Sequence, residues 1–454
     1  MQEPVGLVEF PTRPTHEPAS GVDPFDVKPP SVQQPMDGCF DPGHHGQTPF
    51  RERGGESNIL MMVRLTSPMA EDGMASPTFY VASPLGDRTA GPEALTQLVD
   101  AIRRRGANAF LIPMYNFRGR RNDPEYDLYD FEVAERIQKR DDAYFVMTEV
   151  SPIESFRELR TVPPERTWIA WLSINFSPDP RARHFRPSEK CCPTFPPEVY
   201  AEAALGQGLP YQPVPADLDL PAEVSPGPFS TLREAASRVG GIRRLRATAI
   251  EDISIHYARH IYKTRQNFIT QSFYGQGFLK QTFGRDSHLI TDPIRLIEFD
   301  RPPREPGLVA YNGTKGQWLI PHLRERMPDV EFLPIQGMSY REVCAALSRA
   351  SLYVEIGLLH GRDRLPREAA NLGTPVIFLA RGSAYCWADA PVPVDYRIPY
   401  REDWADLMVP KIREVLADPS YAQERQEPYR AWVAGERERY EAAVDRWLAE
   451  ALTA

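Results

Sequence analysis

The chain has 454 residues, 42% of them hydrophobic and 25% charged, with a formal net charge of -9. Such a composition belongs to a globular protein of two or three domains and argues against a nucleic-acid binder that works through its overall field. No apolar run approaches the ~20 residues of a membrane span, which leaves only peripheral membrane association open, and the start lacks the basic-then-apolar layout of a secretory leader. The expected location is cytoplasmic. Five cysteines, an odd number, show no zinc-type pairing; Cys191 and Cys192 are adjacent, so free thiols in a reducing compartment are expected.

Residues 1–57 are rich in Pro, Gly, Asp and Gln without helical or strand period, and read as a disordered tail. Its pair His44 and His45 reads as solvated. Order is expected to begin near "NILMMVRL" and to be clear from "TFYVASPLGDRTAGPEALTQLVDAIRRRGANAFLIP": Phe79 to Ala82 as a strand, a loop with Gly86 and Gly91, Pro92 at the first helical position, and Leu95, Leu98, Val99 and Ile102 on one helix face. This is a βαβ unit with a glycine loop at a helix N-terminus, where backbone N–H groups face an anion. "AYFVMTEV" follows as a strand, then Ser151 and Glu154 as a capping box opening "SFRELR", then the strand "RTWIAWLSINF".

The Pro-rich and Arg-rich stretch 177–250 has no regular period and reads as an insertion or lid. Its basic pieces "RARHFR" and "GIRRLR" suit an anionic acceptor or a solvated surface, and Tyr200 and Tyr211 suit glycan stacking or plain packing. Strand, helix and strand resume in "FITQSFYGQGFLKQTFG" and "HLITDPI". A second alternating block starts at "GLVAYNGTKGQWLIPHLRERM" and runs through "EFLPI", a helix capped by Ser339 and Glu342, "LYVEIG", "PREAANLG" and "PVIFLA"; from about 402 the chain is helical and charged. The pattern predicts an α/β protein with two Rossmann-like, doubly wound parallel sheets facing a cleft. The expected division is an N-terminal domain over 58–295 including the insertion 177–250, a second domain over 296–401, and C-terminal helices over 402–454.

In "HGRDRLPREAANLGTPVIF", residues 360–378, Pro366 fits the first helical position and Gly373 the end, so the loop 360–365 lies between a strand end and a helix start, where open α/β sheets bind ligands. Glu368 in the first turn is either a charge partner for the helix dipole or an acceptor for paired ribose hydroxyls. Arg362, Asp363 and Arg364 are either a surface loop with a local ion pair or a phosphate-neutralising cluster.

This segment, with His360 and Gly361 before it and "RGSA" after it, resembles the donor-binding segment of GT-B fold glycosyltransferases, especially those similar to glycosyltransferase family 4. In that family two glutamates stand eight positions apart before "G-x-P-V". Glu368 occupies the second position, which implies a ribose contact; His360 stands where the first glutamate contacts the donor sugar, and as a neutral imidazole it would still donate or accept a hydrogen bond. Lys315 in "AYNGTKG" resembles the lysine that meets the donor diphosphate. Gly382 and Ser383 resemble a small-residue loop beside the diphosphate or sugar, and Gly86 and Gly91 the glycine loop across the cleft. Arg362 and Arg364 would then neutralise the phosphates, with Asp363 orienting one of them.

The resemblance implies a glycosyltransferase, of hexosyltransferase type and with a role in polysaccharide biosynthesis, that moves a sugar from a nucleotide-sugar donor to a glycan or other hydroxyl acceptor. It implies neither metal nor cofactor: Asp217 and Asp219 have metal-motif spacing but no preceding apolar strand. Asp87, Glu93 and Glu149 are candidate general bases at the cleft. The same scaffold without transfer, a nucleotide-sugar or partner-binding protein, and the same fold with other chemistry, a GT-B epimerase or phosphorylase, are the competing readings.

Overall fold

The structure is a computed structural model; it describes residues 77–114, 117–138, 141–150, 155–174, 198–207, 209, 260–262, 264–265 and 267–453. The expected tail 1–57, the stretch "NILMMVRL", the capping pair Ser151 and Glu154, Cys191 and Cys192, Tyr211, Asp217 and Asp219, and the two basic pieces of the insertion lie outside the described residues.

Two parallel sheets form the framework. In the first, β1 (Thr78–Ser83), β2 (Asn108–Pro113), β3 (Ala143–Thr148), β4 (Thr167–Trp171), β5 (Asn267–Thr270) and β6 (His288–Leu289) lie in the order β2-β1-β3-β4-β5-β6. In the second, β7 (Glu305–Asn312), β8 (Glu331–Ile335), β9 (Ala350–Glu355), β10 (Val376–Ala380) and β11 (Arg397–Pro399) lie in the order β11-β10-β9-β7-β8. Each described pairing is parallel. Burial on both faces explains why β1, β3 and β9 read as nearly continuous apolar runs instead of alternating ones. The strand order of each sheet reverses once, between β1 and β3 and between β7 and β9, and crevices for ligands open at such points outside the strands' carboxyl ends.

Helices link the strands: α1 (Ala90–Arg103), α2 (Phe156–Leu159), α3 (Glu198–Gly206), α4 (Phe273–Phe283), α5 (Ile320–Arg326), α6 (Tyr340–Arg349), α7 (Arg364–Asn371), then α8 (Trp404–Ala417), α9 (Pro419–Arg425), α10 (Glu427–Ala434) and α11 (Glu436–Thr453). Helix α6 has the expected capping box, Ser339 and Glu342 each bonding the other's backbone N–H. Helices α1 and α7 both begin two residues before the expected proline, so Pro92 and Pro366 occupy the third helical position. That position's N–H has no intrahelical acceptor either, so proline costs nothing there. Two elements were not expected: the edge strand β11, and α3, which lies inside the stretch read as irregular, its Ala-rich "EVYAEAALG" ending at Gly206 and burying Ala204 completely.

The last helix returns to the first sheet. Tyr440, Val444 and Trp447 of α11 pack into the core formed by Phe79, Val81 and Trp168, with the Trp447 ring 5.7 Å from both Phe79 and Trp168. Arg104 and Arg105, just past the end of α1, pair with Glu441 of α11, and Arg105 with Asp445. Helix α10 stays with the second sheet, where Tyr429 stacks edgewise on Phe378. A second cross-tie runs the other way: Asp389, after β10, accepts the backbone N–H groups of Phe273 and Tyr274 at 3.0 and 2.8 Å and so caps α4 of the first sheet.

Trp447 is fully buried, so Trp447→Ala removes a large aromatic from the seam between α11 and the first sheet. A loss of about 3–5 kcal/mol is expected in urea unfolding; a loss below about 1 kcal/mol would show that α11 is not part of this core.

Candidate functional site

A cavity of about 320 Å³ lies where the carboxyl ends of the two sheets meet. Its walls come from Arg88 to Ala90 and Glu93 at the start of α1, from Asn312 and Thr314 after β7, from Ile335 to Met338 after β8, from Tyr340 and Val343 of α6, and from Asp363 to Leu365 and Glu368 around α7. The β7–β9 switch point of the second sheet thus faces the N-terminus of the first sheet's α1. A smaller cavity of about 240 Å³ is lined by Ile294 to Ile297, Arg301 and Cys344.

Glu368, with Arg295 and Tyr340, lines both cavities. It is 4% exposed, and its carboxylate forms no hydrogen bond with a described residue. Burial pushes its pKa up to about 7, against the opposing pull of Arg364 and Arg367. Because α7 begins at Arg364, Glu368 lies in the second turn, beyond the first-turn position that a dipole partner would take.

Beneath the cavity three arginines and three carboxylates are buried together. Arg364 pairs with Glu93 through Nη1 and with Asp292 through Nε at 2.9 Å. Arg367, 1% exposed, pairs with Asp292 at 3.0 Å and with Glu436 at 2.8 Å, and also donates to the backbone oxygens of Arg362 and Asp292. Arg362 lies 2.7 Å from the other oxygen of Glu436. Glu93 further accepts from Tyr129 at 2.7 Å and pairs with Arg295 at 2.9 Å.

Both loop arginines that the resemblance assigned to phosphates are engaged by carboxylates of this chain. Arg362 does not line the cavity, and both arginines are already neutralised by carboxylates from α1, from Asp292 and from α11. Nor does Asp363 orient either of them. Its two oxygens accept from Lys315 Nζ at 2.7 and 2.8 Å.

The remaining expected residues fall in three groups. Lys315 and His360 lie together past the ends of β7 and β9: burial, with Lys315 and Arg381 acting in the same direction and Asp363 against them, lowers the His360 pKa to about 4, so the imidazole is neutral at pH 7. Beneath them Glu355 ends β9, fully buried, accepting from Tyr353 at 2.7 Å and the Gly357 N–H at 2.9 Å; burial raises its pKa to about 7. Gly382 and Ser383 sit beside this group. Gly382 adopts φ 61° against the Leu359 carbonyl, where a side chain would collide, and Ser383 donates to the Gly361 carbonyl.

Gly86 and Gly91 flank the first-sheet side, but only the neighbours Arg88 to Ala90 line the cavity. Of the three candidate bases, Glu93 lines the cavity, Asp87 pairs with Arg120 at 3.7 Å, and Glu149 is buried with its oxygens accepting the Leu172 and Ser173 N–H groups at 3.2 and 2.8 Å. Burial raises the Glu149 pKa to about 7.

Sequence reasoning missed Asp292, Glu436, Arg367 and Arg381. The available signal for Asp292 was a single acid inside the apolar run "HLITDPI". Among the described residues, no group of three or more His, Cys, Asp or Glu could hold a metal ion, and no helix is long and apolar enough to cross a membrane.

No family model and no curated protein matches this sequence. Among solved structures, sucrose-phosphate synthase from Thermosynechococcus elongatus superposes with a TM-score of 0.52 at 12% identity, over 83% of this chain and 99% of that one. The glycotransferase of kitacinnamycin, at 12% identity over 83% and 99%, gives 0.44, and the calicheamicin glycosyltransferase CalG4, at the same identity and coverage, gives 0.40. The chain has a GT-B glycosyltransferase-like fold, with two parallel-sheet units as the sequence pattern predicts.

The buried carboxylates fix a pH dependence. Glu149, Glu355 and Glu368 at about 7 and Asp389 at about 6 are raised by burial in the folded chain, so protonation favours folding. Their contribution is complete below the ordinary carboxylate range and is lost as pH rises through 6 to 7. His360, lowered to about 4, acts oppositely: its contribution is present above its ordinary value of 6.5 and is lost as pH falls towards 4. Glu368→Gln should therefore be more stable than wild type at pH 8.5 by about 3 kcal/mol and within about 1 kcal/mol of it at pH 5. Thermal melts at the two pH values check this; a variant less stable at pH 8.5 would mean that Arg364 and Arg367 need the charge.

Proposed function

We propose that this chain is a glycosyltransferase, moving a sugar from a nucleotide-linked donor to the hydroxyl of a glycan or other acceptor. One observation supports the reading most: a buried carboxylate without a hydrogen-bond partner among the described residues, Glu368, faces a nucleoside-sized cavity at the switch point of a GT-B-like fold. Two adjacent ribose hydroxyls would supply the two donors that this carboxylate lacks. A buried carboxylate without them is costly, so the contact discriminates strongly.

In this reading the base lies against Ile335 to Met338, and the diphosphate extends towards Lys315 at the end of β7. Lys315 would exchange Asp363 for a phosphate oxygen, and the α7 N-terminus would add its partial positive charge. As the glycosidic bond breaks, negative charge grows on the leaving diphosphate, and fixed cations placed there lower the barrier. His360, neutral, would hydrogen-bond a donor hydroxyl where the related enzymes use a carboxylate. With Lys315 and the helix terminus taking the leaving charge, the proposed reaction proceeds without a metal ion. Hexosyl transfer and polysaccharide biosynthesis belong to the same proposal. Nucleotide-sugar binding without transfer is the second reading, favoured by the carboxylates that already engage Lys315, Arg362 and Arg364.

Thermal-shift measurements with UDP, GDP, ADP, CMP and TDP, with and without a divalent metal, test the proposal on wild type and Lys315→Ala. A nucleotide at a hundred times its Kd stabilises by roughly 2.7 kcal/mol. One nucleotide should shift wild type without metal, and the shift should shrink in Lys315→Ala. No shift with any of the five would contradict the donor site, and a shift without turnover of the matching sugar nucleotide would favour the binding reading.

A further inference from the structure

The buried arginines of the second sheet differ in one respect. Arg362, Arg364 and Arg367 each meet one or two carboxylates, whereas Arg381 has no ion-pair partner among the described residues. Arg381 follows β10 directly, at the carboxyl edge of the sheet, and is 3% exposed. Its Nη1 reaches the Ile356 carbonyl only at 3.4 Å, and its Nε has no hydrogen-bond partner. The guanidinium instead lies over two rings, 5.3 Å from the centre of Trp318 and 4.5 Å from that of Tyr400.

A guanidinium stays charged at any working pH, so burial cannot be relieved by losing the proton. Aromatic faces offset part of the lost hydration, and a buried cation without a counterion remains unfavourable. Arg381 and its two rings are not among the residues lining the 320 Å³ cavity; their surroundings are those of Lys315 and His360. Trp318 stands three residues past Lys315 and is 42% exposed, and Arg381 acts electrostatically on His360. Asp363, close enough to influence His360 too, is spent on Lys315.

Building on the transferase reading, we propose that Arg381 is an anion-binding residue of this site. It receives an anionic oxygen of the ligand, on the donor's diphosphate or on a carboxylate of the transferred sugar. Trp318 and Tyr400 hold the planar group in place, and the ligand supplies the missing counter-charge. Arg381 thereby takes the task that Arg362 and Arg364, committed to carboxylates of α1, Asp292 and α11, do not perform.

Calorimetry on the full chain at low ionic strength tests this with four probes: inorganic pyrophosphate, UDP, UDP-glucose and UDP-glucuronate. Arg381→Gln should weaken binding about tenfold or more, the loss expected for a charged hydrogen bond, with melting temperature confirming the fold. A loss shared by all four probes assigns the diphosphate; a loss confined to UDP-glucuronate assigns the sugar carboxylate. Arg381→Lys keeps the charge without the fork, should show a smaller loss, and serves if the glutamine variant does not fold. Unchanged affinities in a folded variant, or a wild type that binds none of the probes, would overturn the proposal. Pyrophosphate bound through Arg381 but no tighter binding of UDP, nor of the nucleotide chosen by the thermal shift, would instead overturn the transferase reading and leave Arg381 standing.

Discussion

Three buried arginines and three buried carboxylates hold four separate pieces of chain at one point. Arg362, Arg364 and Arg367 come from the β9–α7 loop and α7, Glu93 from α1, Asp292 from the segment leaving the first sheet, and Glu436 from the start of α11. Each charge taken out of water costs several kcal/mol, which the mutual attraction repays only with good geometry on all sides. Such a cluster contributes little net stability compared with an apolar core and fixes geometry instead, since a displaced member leaves a charge unpaired. The consequence here is positional. The cluster sets how the carboxyl ends of the two sheets face each other, and therefore the width of the cavity above it.

The other ties between the sheets follow the same logic. Asp389 crosses from the second sheet to cap α4, and α11 crosses back to bury Trp447 beneath Phe79 and Trp168. At the contact itself the loops come within van der Waals reach: a side chain at Gly361 would meet the Leu172 carbonyl oxygen and the Gln271 amide. A glycine at 361 is therefore a requirement of the domain contact.

Much of this was legible from local pattern. Apart from β11, the strands of both sheets stand where apolar runs placed them, and the Ser339–Glu342 box opens α6, because strand burial and helix capping depend on residues within a few positions. The proline rule misplaced two helix starts by two residues for a definite reason: proline fits anywhere in the first turn. Helix α3 was hidden by the prolines around it. What local pattern cannot carry is pairing at long range. Arg364 lies 271 positions from Glu93, and Arg367 lies 75 from Asp292 and 69 from Glu436. From sequence the arginines therefore looked available to a ligand, while Arg381, hidden in a strand end, drew no notice.

The account rests on the claim that Glu368 holds a ribose. The most direct measurement is calorimetric affinity for a nucleoside diphosphate against its 2′-deoxy and 3′-deoxy forms, on wild type and Glu368→Gln. The account predicts that wild type prefers the ribose form by about tenfold or more and that the preference collapses in the variant. Equal affinity for ribose and deoxyribose forms in wild type would contradict it.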